Sequence, residues 1–175
     1  MGPEEDGEFA AYVADRRAKV RRTAYLLCGD WHRADDLTQI AFVKLYGAWS
    51  QIRDYGALDA FVRRCLMRAT VDESRRPWRR EHSAAELPEV ADISPASGDL
   101  ASGVVDREVV RLALEQVPPG QRAVLVLRYY EGLDVAATAA ALECSEGNVK
   151  SQTARGLAAL KAAFARQASA PGGGS

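Results

Sequence analysis

Histidine is nearly missing from this chain. Only His32 and His82 occur in 175 residues, and neither stands in a metal-ligand or nucleophile spacing. A glycine-rich phosphate loop is missing as well. The common enzyme motifs are therefore absent, and the chain reads as a binding protein with no catalytic residue, no metal site and no cofactor. Cysteine is scarce: Cys28, Cys65 and Cys144 lie far apart within apolar helical patterns. An odd count without paired spacing fits buried thiols in a reducing cytoplasm better than a disulfide or zinc framework. No apolar run reaches the length of a membrane span, and the acidic start is unlike a signal peptide, so a cytoplasmic location is expected. Lysine is sparse too, 4 residues against 19 arginines, which with abundant alanine suggests a GC-rich coding genome.

Net charge is also almost missing, at −1. Taken alone that argues against a nucleic-acid partner, but the distribution of charge points the other way. Residues 1–8 and 81–106 together hold ten acids and no Lys or Arg, and without them 14 acids face 23 bases. Residues 9–80 carry 15 bases and 8 acids; residues 107–175 carry 8 and 6. The parts able to fold are basic, and the acidity is expected in flexible segments.

What is present is mostly helical periodicity. Residues 9–28 repeat apolar groups every 3.6 positions and stop at Gly29-Asp30. A second helix is expected over 32–49, with Ala34, Leu37, Ala41, Leu45 and Ala48 as its core stripe. A separate stripe of Asp36, Gln39, Val43 and Tyr46 either docks a partner or widens the core. Residues 49–57 read as a loop that places Trp49 and Tyr55 beside Arg53, a pattern suited to stacking on unpaired bases, although Trp49 could equally pack at the helix end. Asp59 is expected to cap a third helix reaching about residue 74, with Phe61, Val62, Cys65, Leu66 and Ala69 inward. Arg63, Arg64, Arg68, Arg75, Arg76, Arg79 and Arg80 fall within eighteen residues, opposed only by Asp72 and Glu73. That is a phosphate-tracking composition rather than a mixed solvated face.

Residues 81–102 are acidic, with Pro88, Pro95 and no sustained apolar period, and read as a linker that could lie across the basic helix and mask it. Helical spacing resumes over 104–117, through Val105, Val109, Leu112 and Ala113, and Pro118-Pro119-Gly120 ends it. Residues 121–130 are apolar nearly all round, hence deeply buried or half-covered by a partner. In residues 133–160, Asp134 can cap a helix over 135–142, and Ser145 a second helix with Val149, Leu157 and Leu160 inward. Asn148, Lys150, Ser151, Gln152 and Arg155 then face outward, which suits the reading helix of a helix-turn-helix, or else an ordinary helical hairpin. Residues 166–175 look disordered.

With these blocks together, the chain resembles an extracytoplasmic-function sigma factor of the sigma-70 family, close to the actinobacterial SigE-like group. RTAYLLCGDWHRADDLTQIAFVKLY resembles sigma region 2, and the stretch from LEQVPPGQRAVLVLRYYEGLD to GNVKSQTARGLAALK resembles sigma region 4. The resemblance implies an all-α fold of two small helical domains. The expected boundaries are an acidic tail (1–8), a region 2-like domain (9–80), an acidic linker (81–106), a region 4-like helix-turn-helix domain (107–166) and a disordered tail (167–175). It implies binding to core RNA polymerase and promoter DNA, and leaves an anti-sigma partner open. Family roles carried to matching positions put Asp35, Asp36, Gln39, Phe42, Val43 and Tyr46 on the clamp coiled coil of the largest subunit. They put Trp49, Arg53, Tyr55, Arg63, Arg64, Arg68, Arg75 and Arg76 on the −10 element. The segment at 123–130 would meet the flap of the second-largest subunit. Asn148, Lys150, Ser151, Gln152, Ala154 and Arg155 would face the −35 element.

The sequence departs from the family pattern at Ile40, where Glu is usual, at Glu143, where the turn usually has Gly, and at Ala154, which is small for a reading position. Residues 71–80 also differ from the commoner end of the basic helix. A polymerase-independent helix-turn-helix regulator is the rival reading, and it leaves the stripe from Asp36 to Tyr46 unused.

Overall fold

The structure, a computed structural model, describes residues 1–74 and 107–170. The linker at 81–106 with its proposed masking role, Val105, and Arg75, Arg76, Arg79 and Arg80 lie outside the described residues. Among the described residues the first domain holds α1 (Pro3–Cys28), α2 (Trp31–Ala48), which runs into a 3-10 turn (Trp49–Gln51), and α3 (Tyr55–Ser74). The second holds α4 (Arg107–Glu115), α5 (Pro119–Leu125) continuing as a π-helical turn (Val126–Tyr130), α6 (Val135–Leu142) and α7 (Glu146–Ser169). Among the described residues there is no strand, and no helix is long and apolar enough to cross a membrane.

Several boundaries differ from expectation for local reasons. The acidic start is not a tail: α1 begins at Pro3, whose missing N–H costs nothing at a first helical position. Glu4, Glu5 and Asp6 lie in the first turn, where the dipole favours acids, and the Gly2 amide donates to Glu5 Oε2 at 3.0 Å. Asp59 does not cap α3, which starts earlier, at Tyr55. The Leu58 amide donates to the Asp54 carbonyl at 3.0 Å, and the Gly56 amide to the Asp54 carboxylate at 3.3 Å. Pro119 and Gly120 open α5 rather than merely ending α4. At the far end α7 continues through Ser169, so residues 166–169 are helical.

The stop at Gly29 holds, with φ 76° and its amide donating to the Tyr25 carbonyl at 2.7 Å. The predicted caps of the second domain form as well. Asp134 accepts from the Ala137 amide at 2.7 Å, and Ser145 from the Asn148 amide at 3.0 Å.

The core stripes of α2 and α3 are buried at Ala34, Leu37, Ala41, Leu45, Val62, Cys65, Leu66 and Ala69, and Met67 joins them. Cys28, Cys65 and Cys144 are free thiols, of which only Cys65 is fully buried. In α4 the inward residues are Ala113 and Leu114, while Leu112 is exposed. Ala123 through Leu127 are all buried and belong to the core, whereas Tyr130 at the end of the stretch is exposed. Most buried residues of both domains share one cluster, which includes Ala24 and Leu27 of α1 with Leu114, Val126 and Leu127, while Val124, Ala139 and Val149 form a second, smaller one. Arg122 ties the same seam, donating to the Leu27 carbonyl at 2.7 Å.

Candidate polymerase and DNA interfaces

The second stripe of α2 points outward. Asp36, Gln39, Val43 and Tyr46 are exposed, Val43 at 66 % and Tyr46 at 48 %. Ile40 extends this surface at 43 %. Large apolar side chains on a helix whose other face is already buried form a surface suited to a partner. Two members of the predicted set stand apart. Phe42 is buried, with its ring edge toward Tyr12, and belongs to the core. It directly precedes Val43, and a step of one residue turns a helical side chain by about 100°, here inward. Asp35 accepts from Arg21 Nε at 2.5 Å, and that hydrogen bond holds its carboxyl below the usual range. Arg21 in turn lies over the Trp31 ring, which stacks on Tyr25 with centroids 3.7 Å apart. At the other end of the stripe, the Tyr46 hydroxyl donates to Asp6 at 3.2 Å, and Phe9 packs edge-on at 5.1 Å.

The loop after α2 is split between core and surface. Trp49 is buried against Phe9 and Tyr12, so it packs at the helix end and does not present a stacking face. Tyr55, by contrast, is exposed at 63 %, and Arg53 is exposed beside it. Behind Tyr55, Tyr12 donates to Asp59 Oδ1 at 2.6 Å and Arg16 Nε donates to the same oxygen at 3.0 Å. Burial pushes the Asp59 carboxyl up, and these two donors outweigh it and hold the group below its usual range. Burial and then the Asp59 hydrogen bond raise the Tyr12 hydroxyl far above its ordinary value. Asp59 therefore pins α3 to α1, a role that composition could not reveal.

The arginines of α3 are not equally open. Arg64 is exposed, 6.0 Å from the Phe61 centroid. Arg63 lies 3.5 Å from Glu131, and Arg68 pairs with Glu143 through Nε at 2.8 Å and through a second short contact. Glu131 and Glu143 both belong to the second domain. In this arrangement two predicted promoter-facing arginines already face carboxylates.

On α7, Val149, Thr153, Gly156, Leu160 and Ala163 are buried in helical register. Asn148 and Lys150 are exposed; Ser151, Gln152, Ala154 and Arg155 are half-buried on the flank. Leu157, expected inward, is only half-buried. The turn before α7 places Glu143 at φ 55°, the left-handed region where glycine is the easier residue. The Cys144 amide closes that turn on the Ala139 carbonyl at 3.1 Å. Nothing among the described residues groups three potential metal ligands.

Comparison with known proteins accounts for both halves. Residues 12–80 match Sigma-70 region 2, and residues 107–160 match Sigma-70, region 4. The chain is 36% identical over 154 residues to the RNA polymerase sigma-E factor of Streptomyces avermitilis, spanning 88% of this chain and 83% of that protein. It is 35% identical to the RNA polymerase sigma-E factor of Streptomyces coelicolor, spanning 88% and 84%. Its fold is similar to the sigma factor RpoE from Bartonella quintana, solved with the anti-sigma factor NepR. The TM-score there is 0.68 at 22% identity, over 90% of this chain and 97% of that one. CnrH, solved with the cytosolic domain of CnrY, gives 0.60 at 22% identity over 93% and 89%.

Proposed function

Because the chain belongs to the extracytoplasmic-function class of the sigma-70 family of RNA polymerase sigma factors, we propose a division of labour among its surfaces. As a sigma factor it binds core RNA polymerase and promoter DNA and directs transcription initiation, and it is not an enzyme. Asp36, Gln39, Val43 and Tyr46, extended by Ile40, are the clamp-facing surface. Tyr55, Arg53 and Arg64, with Arg63 and Arg68 once they part from Glu131 and Glu143, face the −10 strand. Lys150, Asn148, Ser151, Gln152 and Arg155 face the −35 duplex. Domain limits of 9–80 and 107–166 belong to the same reading, with the N-terminal turns of α1 added to the first domain. The site of action is the cytoplasm, where polymerase and promoter are.

The observation that carries this reading is the exposed apolar stripe on α2 in the same chain as a capped helix-turn-helix. Binding, not covalent chemistry, is the mechanism. Stacking of an unpaired base on Tyr55 offsets part of the cost of melting, about 1–3 kcal/mol per base. Phosphate contacts from arginine make affinity fall steeply with salt. Polymerase tethers both domains, so neither needs to bind DNA tightly alone.

One solved relative is held by the anti-sigma factor NepR and the other by the cytosolic domain of CnrY, and an anti-sigma partner is proposed here too. The groove lined by Arg21, Arg22, Tyr25, Leu114, Tyr129 and Tyr130 offers an apolar floor and a basic rim to an acidic amphipathic helix.

Run-off transcription with core polymerase on a genomic promoter pool tests the whole reading. Val43→Glu should abolish capture by core polymerase while leaving helix content unchanged, and capture at wild-type strength would remove α2 from the interface. Lys150→Ala or Arg155→Ala should cost about 1–3 kcal/mol on the preferred −35 sequence. Equal losses on every sequence would refute base reading.

A further inference from the structure

Glu131 is the most enclosed acid at the seam between the domains. Its side chain is only 7 % exposed, although it lies just past the π-helical turn on a segment with exposed neighbours. The groups that enclose it come from the other domain. The Thr23 hydroxyl lies 2.6 Å from Glu131 Oε1 and 3.2 Å from the Lys19 carbonyl; having one proton, it donates along the shorter, charge-assisted bond. Arg63 Nη2 and Lys19 Nζ stand 3.5 and 3.8 Å from Oε2. Arg16 and Asp59 line the same cleft, but they are engaged with each other and with Tyr12. If Glu131 is withdrawn, Lys19, Arg63 and the Thr23 hydroxyl lose their shared carboxylate, and the nearby Asp59, which also acts on Arg63, remains engaged with Tyr12 and Arg16. Three donors converging on one oxyanion are what a phosphate oxygen requires.

We infer that Glu131 is an internal stand-in for a backbone phosphate: its carboxylate occupies a cradle made by Lys19, Thr23 and Arg63, and promoter DNA takes that cradle when the domains separate. The inference rests on the reading of α3 as the −10 surface and adds α1 to it through Lys19 and Thr23. It makes domain closure and DNA binding mutually exclusive at one site. The same cations that add to the apolar closure of the free chain later hold the promoter strand. The Arg68–Glu143 pair repeats the arrangement at the surface, where solvent weakens it.

The test uses the full chain without polymerase. Donor and acceptor dyes on the two domains report separation, and a short fluorescein-labelled oligodeoxythymidylate reports phosphate binding. Glu131→Gln keeps the shape and removes the charge. It should raise the open population and tighten oligonucleotide binding about tenfold, the size expected for losing one charge-assisted hydrogen bond as competitor. Adding the exposed Lys19→Ala change to Glu131→Gln should reverse the gain in affinity but not the opening. A methylphosphonate oligomer, which lacks the backbone charge, should show no gain. Glu131→Asp, which shortens the arm and keeps the charge, should gain less, and it is read in place of Glu131→Gln if circular dichroism shows that variant unfolded. Unchanged separation and affinity would overturn the inference, as would opening without tighter binding, or an equal gain for the uncharged oligomer. Loss of run-off activity in Arg64→Ala tests the −10 assignment separately, so either idea can fail alone.

Discussion

Three residues show how much one side chain decides here. Glu143 carries the strained conformation at φ 55° and also holds Arg68. Hydrogen bonding from Arg68 keeps its carboxyl below the ordinary glutamate value of 4.5. A depressed acid stabilises docking fully above its ordinary value and loses that contribution as pH falls through the lowered one. Domain separation measured by dye transfer should therefore rise only below pH 4.5, and Glu143→Gln should reduce that rise; opening centred near neutrality would contradict it. Gly156 is a second such residue. An added Cβ would lie 3.0 Å from Leu125 Cγ and 3.2 Å from Cδ1, so the buried Leu125 would have to shift by a few tenths of an ångström. Overpacking of this kind costs about 1–3 kcal/mol, more than the gain in helix propensity from glycine to alanine, about 1 kcal/mol. Gly156→Ala should lower the stability of the second domain in urea, and an unchanged midpoint would show that Leu125 yields. Asp59 is the third, because one oxygen serves both Tyr12 and Arg16.

At the scale of the helix, caps and faces carry the function. The reading helix starts where Ser145 accepts from Asn148, so the cap also aims the first exposed polar residues of α7. Ser145→Ala should cost about 1 kcal/mol of stability. It should weaken −35 binding further than that loss alone explains, because fraying displaces Asn148 and Lys150. Footprints that match wild type at a temperature where both are folded would separate the cap from recognition. Helix α2 works differently. Its apolar groups divide between a core face and the exposed Ile40, Val43 and Tyr46, so a charge can be placed on the outer face without disturbing the packing.

For the whole molecule, the closed arrangement rests chiefly on apolar burial across one shared cluster. Each large apolar side chain removed from water contributes about 1.5–3 kcal/mol. An exposed ion pair such as Arg68–Glu143 contributes far less, because solvent screens it. Screening therefore acts mainly on the outer pair, whereas the enclosed Glu131 is reached less. Moderate salt should leave the radius of gyration of the free chain nearly constant in small-angle scattering, while affinity for DNA falls steeply. A chain that expands in step with salt would mean that surface charge, and not burial, holds the domains together.

Local features of this protein were legible in its amino-acid order: the stop at Gly29, the caps at Asp134 and Ser145, the strained turn at Glu143 and the separate outer stripe of α2. Each depends on residues a few positions apart, and a helix repeats its face every 3.6 residues whatever the rest of the chain does. The family followed from two such blocks in order, and matches over 12–80 and 107–160 agree with it. Tertiary structure decided the rest. Trp49 and Phe42 turned inward because α1 supplies Phe9 and Tyr12 against them. Asp59 became a clasp through Tyr12, 47 residues away, and Glu131 was enclosed through Thr23, 108 residues away. No pattern along the chain encodes which donors will surround a carboxylate. That depends on how two separately patterned domains meet, and here their meeting places an acid on Arg63, a cation that composition had assigned to DNA.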